Sequence, residues 1–101
     1  MTTIRNVKLL EELSLTPAIS GNEEKIRGII TRELEDVVDE IETDDMGNLI
    51  CTKKGDSDAP TVMLASHMDE IGLMVKFIDD NGFVKFVKIG GINDQMLSNR
   101  Q

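Results

Sequence analysis

The sequence predicts an α/β fold, and three features carry that expectation. Two amphipathic helical segments come first, a short and almost wholly apolar run occupies residues 61–66, and two turn-centred pairs of strand-like segments flank that run. Ile4, Val7, Leu10 and Leu13 recur at helical spacing, with Arg5, Lys8, Glu11 and Glu12 on the other faces. This helix should stop near Leu15, because Pro17 disfavours helical geometry at Thr16. Ser20-Gly21-Asn22-Glu23 reads as a capping box, with Ser20 as N-cap and Glu23 three residues on. Ile26, Ile29, Ile30 and Leu34 then form the stripe of a second helix, whose first turn holds Glu23 and Glu24 near the positive end of its dipole.

From Val37 the pattern changes. Residues 37–43 read as a strand, and Asp39, Glu40 and Glu42 give it an exposed or edge position. Asp44-Asp45-Met46-Gly47-Asn48 has turn chemistry, residues 49–54 return as a strand, and residues 55–60 are a loop by composition. The run Thr61-Val62-Met63-Leu64-Ala65-Ser66 predicts a strand buried on both faces, in the middle of a sheet covered by helices. Ile71, Leu73, Val75 and Phe77 alternate with Gly72, Met74 and Lys76, the period of a strand with one buried face. Asp79-Asp80-Asn81-Gly82 carries an Asn-Gly turn signal, and residues 83–89 return as the second arm. A central strand with only this material around it lacks neighbours and cover, so the sequence reads as the opening of something larger.

Composition narrows the function. At 101 residues there is room for one small domain, with 40% hydrophobic residues to build a core that must be aliphatic, since aromatics amount to three Phe. Nineteen acidic against 11 basic residues give a net charge of −8, a field that repels phosphate backbones and anionic lipid surfaces. No basic cluster or aromatic platform offsets it, so neither nucleic acid nor membrane is an expected partner. Cys51 is the single cysteine; in its apolar run it reads as a buried, inert thiol. No stretch approaches signal-peptide character or the ~18 apolar residues of a membrane span, and the cytoplasm is the expected location.

Chemistry concentrates at His67-Met68-Asp69, directly after the apolar run. Functional groups of α/β proteins gather where strands leave the sheet at their carboxyl ends. Alternation puts His67 and Asp69 on one side of an extended backbone, about 6–7 Å apart at the α-carbons. Imidazole is a common zinc ligand, and a carboxylate beside it orients the ring. A surface or structural hydrogen bond between the two fits the same three residues. Glu70 adjoins the pair but points the other way, which makes it a satisfied or solvated carboxylate in preference to a general base. Asp44 and Asp45 belong to a turn more readily than to a cation site, the acidic stretch from Glu33 to Glu40 faces solvent, and Met63, Met68 and Met74 fill core gaps.

The run from Leu64 to Gly72 resembles the first metal-binding strand of the glutamyl and tetrahedral aminopeptidase family, co-catalytic zinc exopeptidases of which some members are labelled endoglucanase or cellulase. Ser20-Gly21-Asn22-Glu23, the segment from Asp44 to Leu49, and that from Phe83 through Gly90-Gly91 occur in the family's order, so the likeness covers nearly the whole chain. The resemblance implies that His67 is a terminal ligand of one of two divalent metal ions, zinc or cobalt, and that Asp69 is the carboxylate supporting that site in catalysis. It also implies a mixed-sheet catalytic domain of which residues 1–70 are the N-terminal part. Residues 71–101 would begin a β-rich inserted domain used for association into a homo-oligomer. The implied activity is removal of N-terminal residues from peptides. The general base and remaining ligands correspond to nothing in this sequence, so at most a partial metal site and an inactive isolated chain are expected. Two other readings stand beside this one: a free-standing interaction module built on the 71–89 hairpin, and a truncated product without function of its own.

Overall fold

Helix α1, Thr2–Leu15, ends where Thr16 Oγ1 turns back to donate to the Glu12 carbonyl at 2.7 Å, just before Pro17. The computed structural model describes residues 2–98. Between α1 and α2 (Glu24–Leu34) the chain does not form the expected capping box. Asn22 N–H donates to Ile19 C=O at 2.9 Å and Gly21 takes a left-handed φ of +86°, which uses Ser20 and Gly21 as the corner of a tight turn. The N-cap is therefore Glu23, one turn later than Ser20, and its carboxylate accepts from Gly21 N–H at 2.7 Å.

The two helices face each other across a shallow apolar groove lined by Leu9 and Leu13 on α1 and Ile29, Ile30 and Leu34 on α2. Ion pairs flank this groove. Arg32 holds Glu12 in a two-pronged pair at 2.8 and 2.9 Å, and Glu33 receives Arg5 at 2.8 Å. Arg32 lowers the Glu12 carboxyl from its ordinary value, and Arg5 followed by Arg32 does the same for Glu33. The two arginines are exposed and the two glutamates only partly covered, so the pairs orient the helices more than they stabilise them. This rotation corrects the expected stripe: Leu13 packs, whereas Ile4, Val7 and Leu10 remain exposed.

The first hairpin pairs β1 (Glu40–Thr43) with β2 (Leu49–Thr52), Glu40 opposite Thr52 and Thr43 opposite Leu49. Both strands are shorter than the sequence suggests. Val37 and Val38 N–H still bond the Leu34 carbonyl, carrying the helix exit into a turn, and Lys54 N–H is diverted to the Asp39 carboxylate at 2.6 Å. At the other end Asp44 Oδ1 accepts from Met46 and Asn48 N–H, with Gly47 left-handed at +85°. A carboxylate thus closes each end of the hairpin. Arg27 Nε donates to Gly47 C=O at 3.0 Å, tying the turn to α2.

Residues 61–69 differ most from expectation. The run forms no strand and is not buried: Val62, Met63 and Leu64 are 77, 85 and 94% exposed. The physical reason is absence of pairing among the described residues: β1 pairs only with β2 and β3 only with β4, and neither ribbon takes this segment onto its open edge. It is fixed only at its exit, where a single parallel bridge joins Ile19 to Glu70.

Strands β3 (Gly72–Ile78) and β4 (Val84–Ile89) form the second hairpin around a turn built like the first, with Asp79 Oδ1 accepting from Asn81 and Phe83 N–H and Gly82 left-handed. A bulge at Lys76 moves the register, so that Val75 faces Phe86 but Phe77 faces Lys85. The expected Leu73-Val75-Phe77 face is therefore broken. Ile78 joins Leu73 and Val75, while Phe77 shifts to the side of Met74, so both faces are apolar and neither is buried. A one-turn 3₁₀ helix, Asp94–Met96, follows. Only Ala18 and Ile26 are buried apolar residues among those described, and Cys51 is half-buried where full burial was expected. The radius of gyration, 18.4 Å, exceeds the ~13 Å of a compact domain of this length.

A Cβ on Gly72 would collide with Ile19 Cγ2, a β-branched methyl with little freedom to turn away. Gly72→Ala should destabilise the junction by about 1–3 kcal/mol, and Ile19→Ala in the same chain should recover most of that loss, as read from urea unfolding. The hairpin carboxylates give a pH prediction. Hydrogen bonds from Asn48 lower the Asp44 carboxyl first of all, and the Lys54 backbone N–H lowers Asp39. A carboxyl lowered in the folded state contributes stability above its unfolded value and loses it as pH falls through the folded one. Amide protection at Asn48 and Lys54 should therefore persist as pH drops past the ordinary aspartate value of about 3.9 and disappear only at lower pH, where each carboxyl's lowered folded-state value is crossed, as hydrogen exchange will show.

Candidate functional site

His67 and Asp69 meet on one side of the backbone, as alternation leads one to expect. His67 Nδ1 lies 2.9 Å from the Asp69 carbonyl oxygen and 3.1 Å from its Oδ1. Both neighbours are acceptors, so Nδ1 is the nitrogen that carries the proton, and in the neutral ring the free lone pair is on Nε2. The imidazole is open to solvent, while the Asp69 side chain behind it is covered more deeply, at 84% and 38% exposure. This is the arrangement of a ligating histidine held from behind by oxygen acceptors.

The pair lines a cleft of about 810 Å³ between the 64–70 segment on one side and α2 with β2 on the other. Ile26, Ile30, Leu49 and Leu64 make much of its wall apolar, and Cys51 contributes a half-buried thiol. Glu70 is not aimed at the His67 ring. Its Oε1 accepts from Ala18 N–H at 3.2 Å, and its own N–H donates to the Ala18 carbonyl at 2.8 Å, so it is a satisfied carboxylate. Asp44 is likewise engaged by its turn, with Asn48 Nδ2 on Oδ2 at 2.8 Å.

As a metal centre the residues fit one ligand position and its supporting carboxylate. Among the described residues no three His, Cys, Asp or Glu side chains converge, whereas a catalytic zinc takes three protein ligands and a water. No described helix is long and apolar enough to cross a membrane. The contribution of Ala18 escaped sequence reasoning. A lone alanine after a proline carries no chemical signal, and its role comes through backbone groups that the sequence does not distinguish.

The sequence profile of M42 glutamyl aminopeptidases matches residues 47–101, more than half of the chain. The chain is similar to a lysyl aminopeptidase of Pyrococcus furiosus, 43% identical over 91 residues that cover 89% of this chain and 26% of that protein. A Thermotoga maritima structure described as an endoglucanase superposes with a TM-score of 0.78 at 40% identity, covering 87% of this chain and 28% of its own. The TET1 peptidase of Pyrococcus horikoshii, which can assemble into a tetrahedron or a large octahedral shell, gives 0.73 at 40% identity over 90% of this chain and 27% of its own. The chain spans about a quarter of the length of the relatives it matches. With the profile match, the 40–43% identities and the superposed folds in agreement, this chain is a member of the M42 glutamyl aminopeptidase family.

Proposed function

We propose that this chain supplies one metal ligand, His67, and its supporting carboxylate, Asp69, to a metal-dependent aminopeptidase that removes N-terminal residues from peptides. The observation that carries the reading is the pair of oxygen acceptors on His67 Nδ1, which leaves Nε2 as the ligating nitrogen at the edge of a cleft. Two divalent ions, zinc or cobalt, would supply an activated water and a polarised scissile carbonyl when bound. His67 then holds one ion through Nε2, and Asp69 fixes the direction of the ring from behind.

In the same reading residues 1–70 belong to the mixed-sheet catalytic domain, and the β3–β4 hairpin within residues 71–101 opens a β-rich inserted domain. The two apolar faces of that hairpin support its use in homo-oligomeric association, as does the shell assembly of the TET1 relative. The cytoplasm remains the proposed location. A single imidazole cannot complete a tetrahedral site, so the 101-residue chain is by itself catalytically silent.

Two measurements check this. With Zn²⁺ or Co²⁺ added, the chain should not turn over aminoacyl chromogenic substrates, and turnover that disappears in His67→Ala would overturn the silence. Titration with Co²⁺ should perturb the His67 ring resonances, and Asp69→Ala should weaken that binding about 10–100-fold. Equal binding by His67→Ala would remove the ligand assignment.

A further inference from the structure

We propose that the loop between α1 and α2 orients His67 through the Asp69–Glu70 peptide bond, with Glu70 as the positioning residue. The inference rests on the reading of His67 as a ligand and adds to it the device that sets the ring.

The Asp69 carbonyl and the Glu70 N–H belong to one peptide unit. That unit is planar and trans, so its C=O and N–H point in opposite directions along one plane. The carbonyl end accepts from His67 Nδ1 at 2.9 Å, and the N–H end donates to the Ala18 carbonyl at 2.8 Å. Whatever fixes the Ala18 carbonyl therefore fixes the plane, and with it the acceptor that selects the tautomer and direction of the ring. Ala18 is well placed to be that reference, being 1% exposed and the most deeply buried of the described apolar residues. Its N–H is gripped as well, by Glu70 Oε1 at 3.2 Å. The two backbone groups of Ala18 are thus both used on one residue: a rotation of the 69–70 plane would break the Glu70 N–H bond, while the side-chain bond keeps Ala18 itself in register with Glu70.

The side chain of Glu70 acts through this clamp and not on the ring. Asp69 Oδ1 makes the second contact to Nδ1, at 3.1 Å, but a carboxylate on a rotatable side chain follows the ring more readily than a backbone carbonyl can. The carbonyl is the fixed element of the two. Close approach of Gly72 to Ile19 keeps the junction from sliding, since no side chain separates the two segments there.

The experiment uses the 101-residue chain labelled with ¹⁵N, at a pH above the ordinary imidazole range so that the ring is neutral. In Glu70→Ala the Ala18 amide should exchange about tenfold faster, and the His67 ring nitrogen shifts should move toward the Nε2–H form that free imidazole favours in water. Glu70→Gln keeps an oxygen acceptor at the same reach and should restore both readouts. A freed Ala18 amide with an unchanged ring tautomer would overturn the proposal, as would a variant in which neither moves. Should Glu70→Ala not fold, the wild-type chain decides: hydrogen-bond couplings from His67 Nδ1 to the Asp69 carbonyl carbon and from Glu70 N to the Ala18 carbonyl carbon are expected together, and loss of either refutes the clamp. The ligand reading fails on a different signal, a wild-type Nε2 resonance that added Zn²⁺ does not move while these couplings are present.

Discussion

The pairing of Ala18 with Glu70 is the constraint on which the rest of the arrangement depends. The two residues are 52 positions apart, and their reciprocal bonds join the helical hairpin to the point where the 61–69 run becomes β3. Closing a loop of that length has an entropic cost, and one backbone bond with one charge-assisted contact is a small return in water. The junction holds because its Ala18 side is shielded and its geometry is pre-set: Ala18 is small and buried, though Glu70 is exposed, and Gly72 admits Ile19 without an intervening side chain. Upstream, the same junction brings the 64–70 segment over α2 and β2 and so defines the cleft. Downstream, it sets where the β3–β4 hairpin leaves.

The apolar surface supplies the opposing consideration. A buried aliphatic side chain contributes about 1.5–3 kcal/mol relative to an exposed one. Val62, Met63 and Leu64 forgo nearly all of that, and Ile4, Val7 and Leu10 much of it. The β3–β4 hairpin is apolar on both faces, Leu73, Val75 and Ile78 on one and Met74, Phe77 and Val87 on the other. A two-stranded ribbon with neither face covered is marginal at best in water. These three surfaces are contiguous with strands and helices that already have regular geometry, so what they lack is packing partners and not local order. That is the physical content of the match to about a quarter of the relatives' length: the segment's elements are those of the family, while the burial that would stabilise them is not supplied by the segment itself.

How far the sequence could be read follows from what each feature depends on. Both helices, both hairpin turns and the pairing of His67 with Asp69 were legible, because propensity, turn chemistry and the two-residue period are local properties. The Asp-Asp-x-Gly segments at 44–47 and 79–82 illustrate this, each folding as a turn with the aspartate accepting from the backbone two and four residues on. Reading failed where the outcome depends on partners. The 61–66 run has the composition of a central strand, but composition states a need for neighbours and cannot provide them. Ser20 lost the N-cap to Glu23 because Gly21 could adopt a left-handed conformation and close a turn first. The Lys76 bulge is invisible to a strict alternation, and it alone reassigns Phe77 and Ile78 to opposite faces.

The candidate site shows the same division at finer grain. His67 and Asp69 announce themselves by residue type, and their mutual contact follows from spacing. What gives a solvent-open histidine a fixed direction is the backbone carbonyl behind it, and that carbonyl's peptide unit is bonded to a residue 51 positions earlier than Asp69. Because the aiming runs through a planar peptide, it needs no particular side chain at position 18 beyond one small enough to be buried. It does need an acceptor at position 70 that reaches the Ala18 N–H. Glu70, set aside as a general base because strand alternation turns it away from the ring, is therefore placed by that same alternation to hold the ring from the opposite side of the backbone. The geometry that disqualifies it from proton transfer is the geometry that fits it for positioning.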